Sequence, residues 1–191
     1  MLKHLGTSLR MTIVSVVLFG LIYPLAMTGA AQVLFPKQAN GEIVTVHGKP
    51  VGSWIIGQLW TQPRYFQGRP SAAGKGYDPT NTGGTNYGAT SAKLIKSTQD
   101  TVKQLEKDNP DASGPPPMDL ITSSASGIDP DISPEAAYWE APRIAKARHM
   151  AVDDVRAIVA RYVQNRTFGI LGEPHVNVLE LNLALDGIRP D

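Results

Sequence analysis

Hydrophobic and polar positions alternate in different ways along the chain, and each pattern predicts a different element. From Met11 to Pro36 (MTIVSVVLFGLIYPLAMTGAAQVLFP) no Asp, Glu, Lys, Arg or His interrupts the run. As an α-helix this stretch reaches about 39 Å, against the ~30 Å of a bilayer's hydrocarbon core. In lipid a helix satisfies its own backbone hydrogen bonds, so the run predicts one passage through a membrane. A cleaved secretory signal competes with that reading, with small residues Thr28 to Ala31 where a peptidase would cut. Val33, Leu34 and Phe35 resume the apolar run beyond that point and favour retention.

Beyond the run, Glu42–His47 and Val51–Leu59 are rich in β-branched residues around Gly48-Lys49-Pro50, the signature of two strands and a turn. Gln62 to Thr90 follows neither period and is crowded with Gly, Pro, Asn, Ser and Thr. A loop this long is uncommon in a compact domain, and Tyr65, Phe66, Tyr77 and Tyr87 favour a loop folded onto a surface or a partner. Ser91–Asp108 carries Leu94, Ile95, Thr98, Val102 and Leu105 at helical spacing. Asp119–Ala125 reads as a short buried strand. Ser133-Pro134-Glu135 opens a helix that Pro142 should bend or split, and Asp153-Asp154 starts another with Val155, Ile158, Val159, Tyr162 and Val163 inward. His175–Asp186 alternates as a strand with a phase slip at Val178-Leu179 that suggests a bulge or the end of that strand. The fold class is one N-terminal transmembrane α-helix followed by a single mixed α+β domain.

Charge orients the span. Lys3 and Arg10 precede it with no acidic residue, so the positive-inside tendency holds residues 1–10 in the cytoplasm and exports residues 37–191. Removing Lys3 and Arg10 from the 18 Lys and Arg leaves 16 against 17 Asp and Glu, a formal charge of −1. That balance offers no footprint for nucleic acid or anionic lipid. With no cysteine there is no disulfide framework or thiolate chemistry. Within the span, Pro24 lacks an N–H and its ring presses on the Gly20 carbonyl. Gly20, Thr28, Gly29 and Ala30 suit close helix packing, so the span is either a plain anchor or a helix that docks on partner helices.

Catalytic and metal motifs do not emerge. Gly68–Gly76 (GRPSAAGKG) has five residues between its first two glycines and Gly76 after Lys75, which breaks the phosphate-loop pattern. No G-x-S-x-G and no Ser-x-x-Lys occurs. Ser123, Ser124 and Ser126 in SSASGIDPDISP keep a membrane-anchored exported serine-type hydrolase as the rival function, although capping and turn bonding explain them more simply. His4, His47, His149 and His175 are dispersed, and Asp129 and Asp131 lack the glycine and closing Glu of a calcium loop, so no metal site is expected.

Eight phrases, in order, carry a resemblance. They are Tyr23-Pro24-Leu25, FPKQANG (35–41), GSWIIGQ (52–58), YFQGRPSA (65–72), TGGTN (82–86), ITSSASGIDPDISPEAA (121–137), APRIAKAR (141–148) and VNVLELNLALD (176–186). Together they resemble the KdpC family, the C subunits of the bacterial high-affinity potassium-transporting Kdp ATPase. The resemblance implies a non-enzymatic, single-pass inner-membrane subunit with a periplasmic domain, in a complex with KdpA, KdpB and KdpF. In that complex KdpB hydrolyses ATP and KdpA conducts potassium. It further implies a role in assembly and a catalytic-chaperone effect that raises the ATP affinity of KdpB, so that ATP enters only through that partner and potassium is the transported ion. Partner-binding candidates are Gly20, Tyr23 and Pro24 in the span, and Tyr65, Phe66, Arg69, Gly83, Gly84 and Asn86 in the loop, near the outer mouth of the potassium path. A loop folded on its own domain serves equally well for the second set. The chain departs from the family at Thr82 and Thr85, where Ser is more usual, and at Glu140, where Gln is common, which puts in doubt any role of that amide.

Overall fold

The computed structural model describes residues 2–190, which divide into two units at Ile43 and Val44. In the first unit, helix α1 (Leu2–Ser15) continues through a π-helical turn (Val16–Ile22) into α2 (Tyr23–Leu34). The stretch His4–Leu34 is long and apolar enough to cross a membrane, and none of its side chains is buried. Pro24 explains the π turn. With no N–H at Pro24 to reach the Gly20 carbonyl, the ladder upstream shifts register, and the Tyr23 N–H bonds the Leu18 carbonyl five residues back. The helix stops at Leu34 because Pro36 disfavours the α conformation at Phe35, whose φ and ψ are −136° and 58°. A single turn, α3 (Pro36–Ala39), follows, and Asn40 donates to the Pro36 carbonyl at 2.6 Å.

From the boundary onward, β1 (Ile43–Val46) and β2 (Lys49–Ser53) pair through the tight turn His47-Gly48, both residues at positive φ. The turn therefore precedes the expected Gly48-Lys49-Pro50, and the second strand ends at Ser53 rather than Leu59. After the irregular stretch to Ser91 come α4 (Ala92–Asp108), α5 (Met118–Ile121), β3 (Asp131–Ile132), α6 (Pro134–Arg148), α7 (Val152–Tyr162), β4 (Val176–Asn177) and α8 (Val178–Leu185). Strands β3 and β4 are antiparallel, with Asp131 opposite Asn177 and Ile132 opposite Val176. The remainder is mixed α and β, as its patterns predict, but strand content is small.

Three expectations need correction. Residues 119–125 form no strand: the Pro115-Pro116-Pro117 run delivers the chain into the helical turn α5, with Asp119 in its first turn. Most of His175–Asp186 is helix rather than strand. The phase slip at Val178-Leu179 is the switch from β4 into α8, and the Asn177 side chain caps the new helix by accepting from the Glu180 N–H at 3.2 Å. Helix α6 runs through Pro142 unbroken. The carbonyl deprived of a partner is that of Tyr138, a residue on the open side of the helix where water can serve it.

The main core gathers Phe66, Leu120, Ile132, Trp139, Ile144, Val155, Val159, Val176, Val178 and Leu181. On the other side of α8, Leu179 and Leu183 pack with Val44. Ser133 caps α6 by accepting from the Ala136 N–H at 3.0 Å. Of the apolar face of α4, only Leu105 is buried, and Ile95 stays 51% exposed.

Candidate functional site

Irregular backbone survives inside a domain only when something else satisfies its N–H and C=O groups. In the segment Pro63–Arg69 that task falls to side chains from α6 and α8. Asn182 works as a surrogate peptide, accepting from the Phe66 N–H at 2.8 Å and donating to the Phe66 carbonyl at 3.0 Å. Arg143 donates to the Tyr65 carbonyl at 3.1 Å and also to the Pro63 carbonyl, while Arg148 reaches the Arg64 carbonyl at 2.7 Å. Glu140 accepts from the Gln67 N–H at 3.1 Å and is ion-paired with Arg143, both side chains being buried. The grip ends at Asp186, which pairs with Arg148 at 2.7 Å and takes the Tyr65 hydroxyl at 2.8 Å.

Downstream the loop lies along residues 122–129. Arg69 pairs with Asp129 at 3.0 Å, the Ser71 hydroxyl donates to the Gly127 carbonyl at 2.6 Å, and the Gly83 N–H donates to the Ser126 carbonyl at 2.8 Å. Gly84 faces the backbone of Ala125, where an added Cβ would lie 3.0 Å from the Ala125 carbonyl oxygen, a tight contact. Tyr77 is the bolt of this arrangement. A Cβ on Gly57 would collide with its ring and one on Gly68 with its hydroxyl, and that hydroxyl donates to the Arg69 carbonyl at 2.7 Å. Burial, aided by Asp129, pushes the phenol up to about 12.

The loop candidates therefore fall in one neighbourhood. Phe66 is wholly buried in the core, Tyr65 and Arg69 are half-buried and bonded within the chain, and Gly83 and Gly84 back onto the 122–129 turn. Asn86 alone among them is exposed, at φ 52°. In the first unit, Gly20 lies in the π turn, where an added Cβ would meet only Val16 Cγ1, 3.9 Å away, while Tyr23 and Pro24 open α2.

The family model described as K+-transporting ATPase, c chain (KdpC) matches residues 5–187. The chain belongs to the KdpC family. The Potassium-transporting ATPase KdpC subunit of Koribacter versatilis (strain Ellin345) is 51% identical over 191 residues, covering 100% of this chain and 97% of its own. The KdpC subunit of Myxococcus xanthus is 54% identical over 189 residues, 97% of this chain and 90% of its own. That of Methylobacterium nodulans is 51% identical, with 97% and 98% covered.

Within this member of the KdpC family, a groove of about 470 Å³ runs between the loop and α4, bordered by Trp60, Arg69, Lys75, Tyr77, Asp100 and Gln104. Its charges are mixed. The serines of the rival hydrolase reading serve the turn: Ser124 is buried with its hydroxyl accepting from the Gly127 N–H at 2.8 Å, and the Ser126 hydroxyl accepts from the Ile128 N–H at 3.3 Å. Among the described residues, no group of three His, Cys, Asp or Glu is placed to hold a metal ion.

At Glu140, burial pushes the carboxyl up and the Arg143 charge pulls it back. Asn182, Arg143, Arg148 and Asp186 were absent from the sequence-based candidates. The signal for Asn182 was a lone amide in the apolar stretch LELNLAL. A further group was also passed over: Phe168, Ile170 and Leu171, a cluster of large apolar residues within a glycine-punctuated loop.

Proposed function

We propose that this chain is the accessory C subunit of an ATP-driven potassium-uptake pump, held in the inner membrane by one helix and working through contact with KdpA, KdpB and KdpF rather than through chemistry of its own. What supports the reading is the full-length likeness to KdpC subunits, joined to a 31-residue apolar helix with no buried side chain in its own chain. Such a helix is stable in lipid or against other helices, and Gly20 and Pro24 give it a face for close approach. With Lys3 and Arg10 held inside, residues 37–191 lie in the periplasm.

The subunit assembles and stabilises the complex and raises the ATP affinity of KdpB as a catalytic chaperone. A periplasmic domain cannot touch cytoplasmic ATP across ~30 Å of hydrocarbon. The effect therefore passes through packed span helices, and requires two pump conformations that bind this subunit unequally. The loop residues Tyr65, Arg69, Gly83, Gly84 and Asn86 shape the face turned to the outer mouth of the potassium path, with Phe66 fixing them from within.

Two measurements test this. Affinity purification of the pump from mild detergent should bring the full chain with it, whereas a chain lacking residues 1–36 should be lost. Retention of the truncated chain at the full level removes the docking role of the helix. In intact cells, an amine reagent that cannot cross the inner membrane should label Lys103 and Lys146; labelling only after lysis reverses the orientation.

A further inference from the structure

The two most exposed large apolar side chains of the second unit, Phe168 and Ile170, lie on one short turn, with Leu171 beside them. Phe168 is 89% exposed, Ile170 74% and Leu171 58%. The turn is built rather than loose. Thr167 and Leu171 exchange both backbone hydrogen bonds, at 2.9 and 3.0 Å, and below them Gln164 and His175 do the same at 2.9 and 3.0 Å. Arg166 and Glu173 close its base as an ion pair at 2.5 Å. Phe168 itself takes φ 54°, a left-handed conformation that a non-glycine residue adopts at some cost, and Gly169 follows at 77°. An aromatic ring is thus held in solvent at the tip of a hydrogen-bonded stem.

Apolar tips of this kind enter either a lipid surface or a cavity on another protein. Lipid-inserting tips rely on uncompensated Lys or Arg meeting anionic headgroups. Here Arg166 is paired with Glu173, and the other residues from Gln164 to Gly172 are uncharged. A rim without net charge suits an apolar protein pocket, where a free charge would have to be desolvated. The matching family description, a c chain of an ATPase, supplies partner proteins for it.

We propose that the turn Thr167–Leu171 is a docking knob whose Phe168 ring inserts into an apolar pocket on the extramembrane surface of a membrane-embedded subunit of the same pump. The inference rests on the subunit reading above and adds to it a second contact independent of the span. In intact membranes, Phe168→p-benzoylphenylalanine should photocross-link the full chain to a pump subunit, while Lys93→p-benzoylphenylalanine, on exposed α4, should not. The double substitution F168S/I170S should leave the unfolding midpoint of the purified full chain unchanged, because both side chains are already in solvent. It should weaken retention in the detergent-extracted pump roughly tenfold or more, as loss of an aromatic anchor does. A wild-type chain that travels with the ATPase while position 168 reacts only with lipid, or with nothing, overturns the knob alone, as does full retention of F168S/I170S. Absence of the wild-type chain from the purified ATPase overturns the subunit reading and the knob together.

Discussion

The two units reverse the usual relation between regularity and burial. Residues 2–34 form the longest helical run among the described residues, yet none of the side chains from His4 onward in that stretch is buried. Pro63–Arg69 has no regular structure, yet it is gripped by Asn182, Arg143, Arg148 and Glu140, and one of its side chains is at the centre of the core. The helix closes its hydrogen bonds locally, so the environment it needs is an apolar solvent or another helix. The loop cannot close its own bonds, so distant side chains do it, and its shape is a tertiary property.

That contrast can be broken most forcefully at Arg143. Arg143→Ala strands the Glu140 charge and frees two loop carbonyls, and is expected to cost about 3–5 kcal/mol, measured by denaturant unfolding of the full chain in detergent. Glu140→Gln, which keeps an acceptor for the Gln67 N–H, should cost clearly less; equal losses would show that the charge pair, not the backbone grip, carries the effect. Asn182→Ala removes both bonds to Phe66 and leaves two buried peptide groups unmatched, for an expected loss of about 2–4 kcal/mol in the same measurement.

Alkaline pH probes the bolt. The phenol of Tyr77 ionises near 10 when unfolded and about 12 when folded, so the folded state holds its proton longer. The corresponding stability is whole below pH 10 and is lost as pH rises through about 12, on the order of 3 kcal/mol for a shift of this size. Tyr77→Phe should flatten the decline of unfolding free energy across that window; an unchanged slope would place the titration elsewhere.

Smaller effects sharpen the comparison from the other side. The Lys146–Asp111 pair, at 2.8 Å with side chains 72% and 51% exposed, should be worth less than ~1 kcal/mol, so Lys146→Ala is expected to shift the unfolding midpoint barely at all. At Gly20 an added Cβ makes only an ordinary contact with Val16 Cγ1 within its own chain, so Gly20→Leu should not change unfolding of the second unit. A selective fall in pump co-purification would then report a partner helix against the π turn, and undiminished co-purification would leave a plain anchor.

Much of the helical architecture was legible because its signals are local: Ser133 before Pro134, Asp153-Asp154 in the first turn of α7, the apolar spacing of α4. Helix α8 was misread for a specific reason. It is packed on opposite sides, Val178, Leu181 and Leu185 toward the main core and Leu179 and Leu183 toward Val44, so no polar face marks a 3.6-residue period and its leucines mimic strand alternation. The loop residues Tyr65, Phe66 and Arg69 could be singled out by their setting in a glycine-rich stretch, but whether they face inward was not written there.

Taken alone, the amino-acid order determined the long uncharged helix and its break at Pro36, because hydrophobic length, self-satisfied backbone bonds and the geometry of proline act between near neighbours. Tertiary structure alone decided the course of residues 63–84 and the outward aim of Phe168. The hydrogen bonds between Phe66 and Asn182 join residues 116 apart, and such pairings exist only once the elements between them have packed.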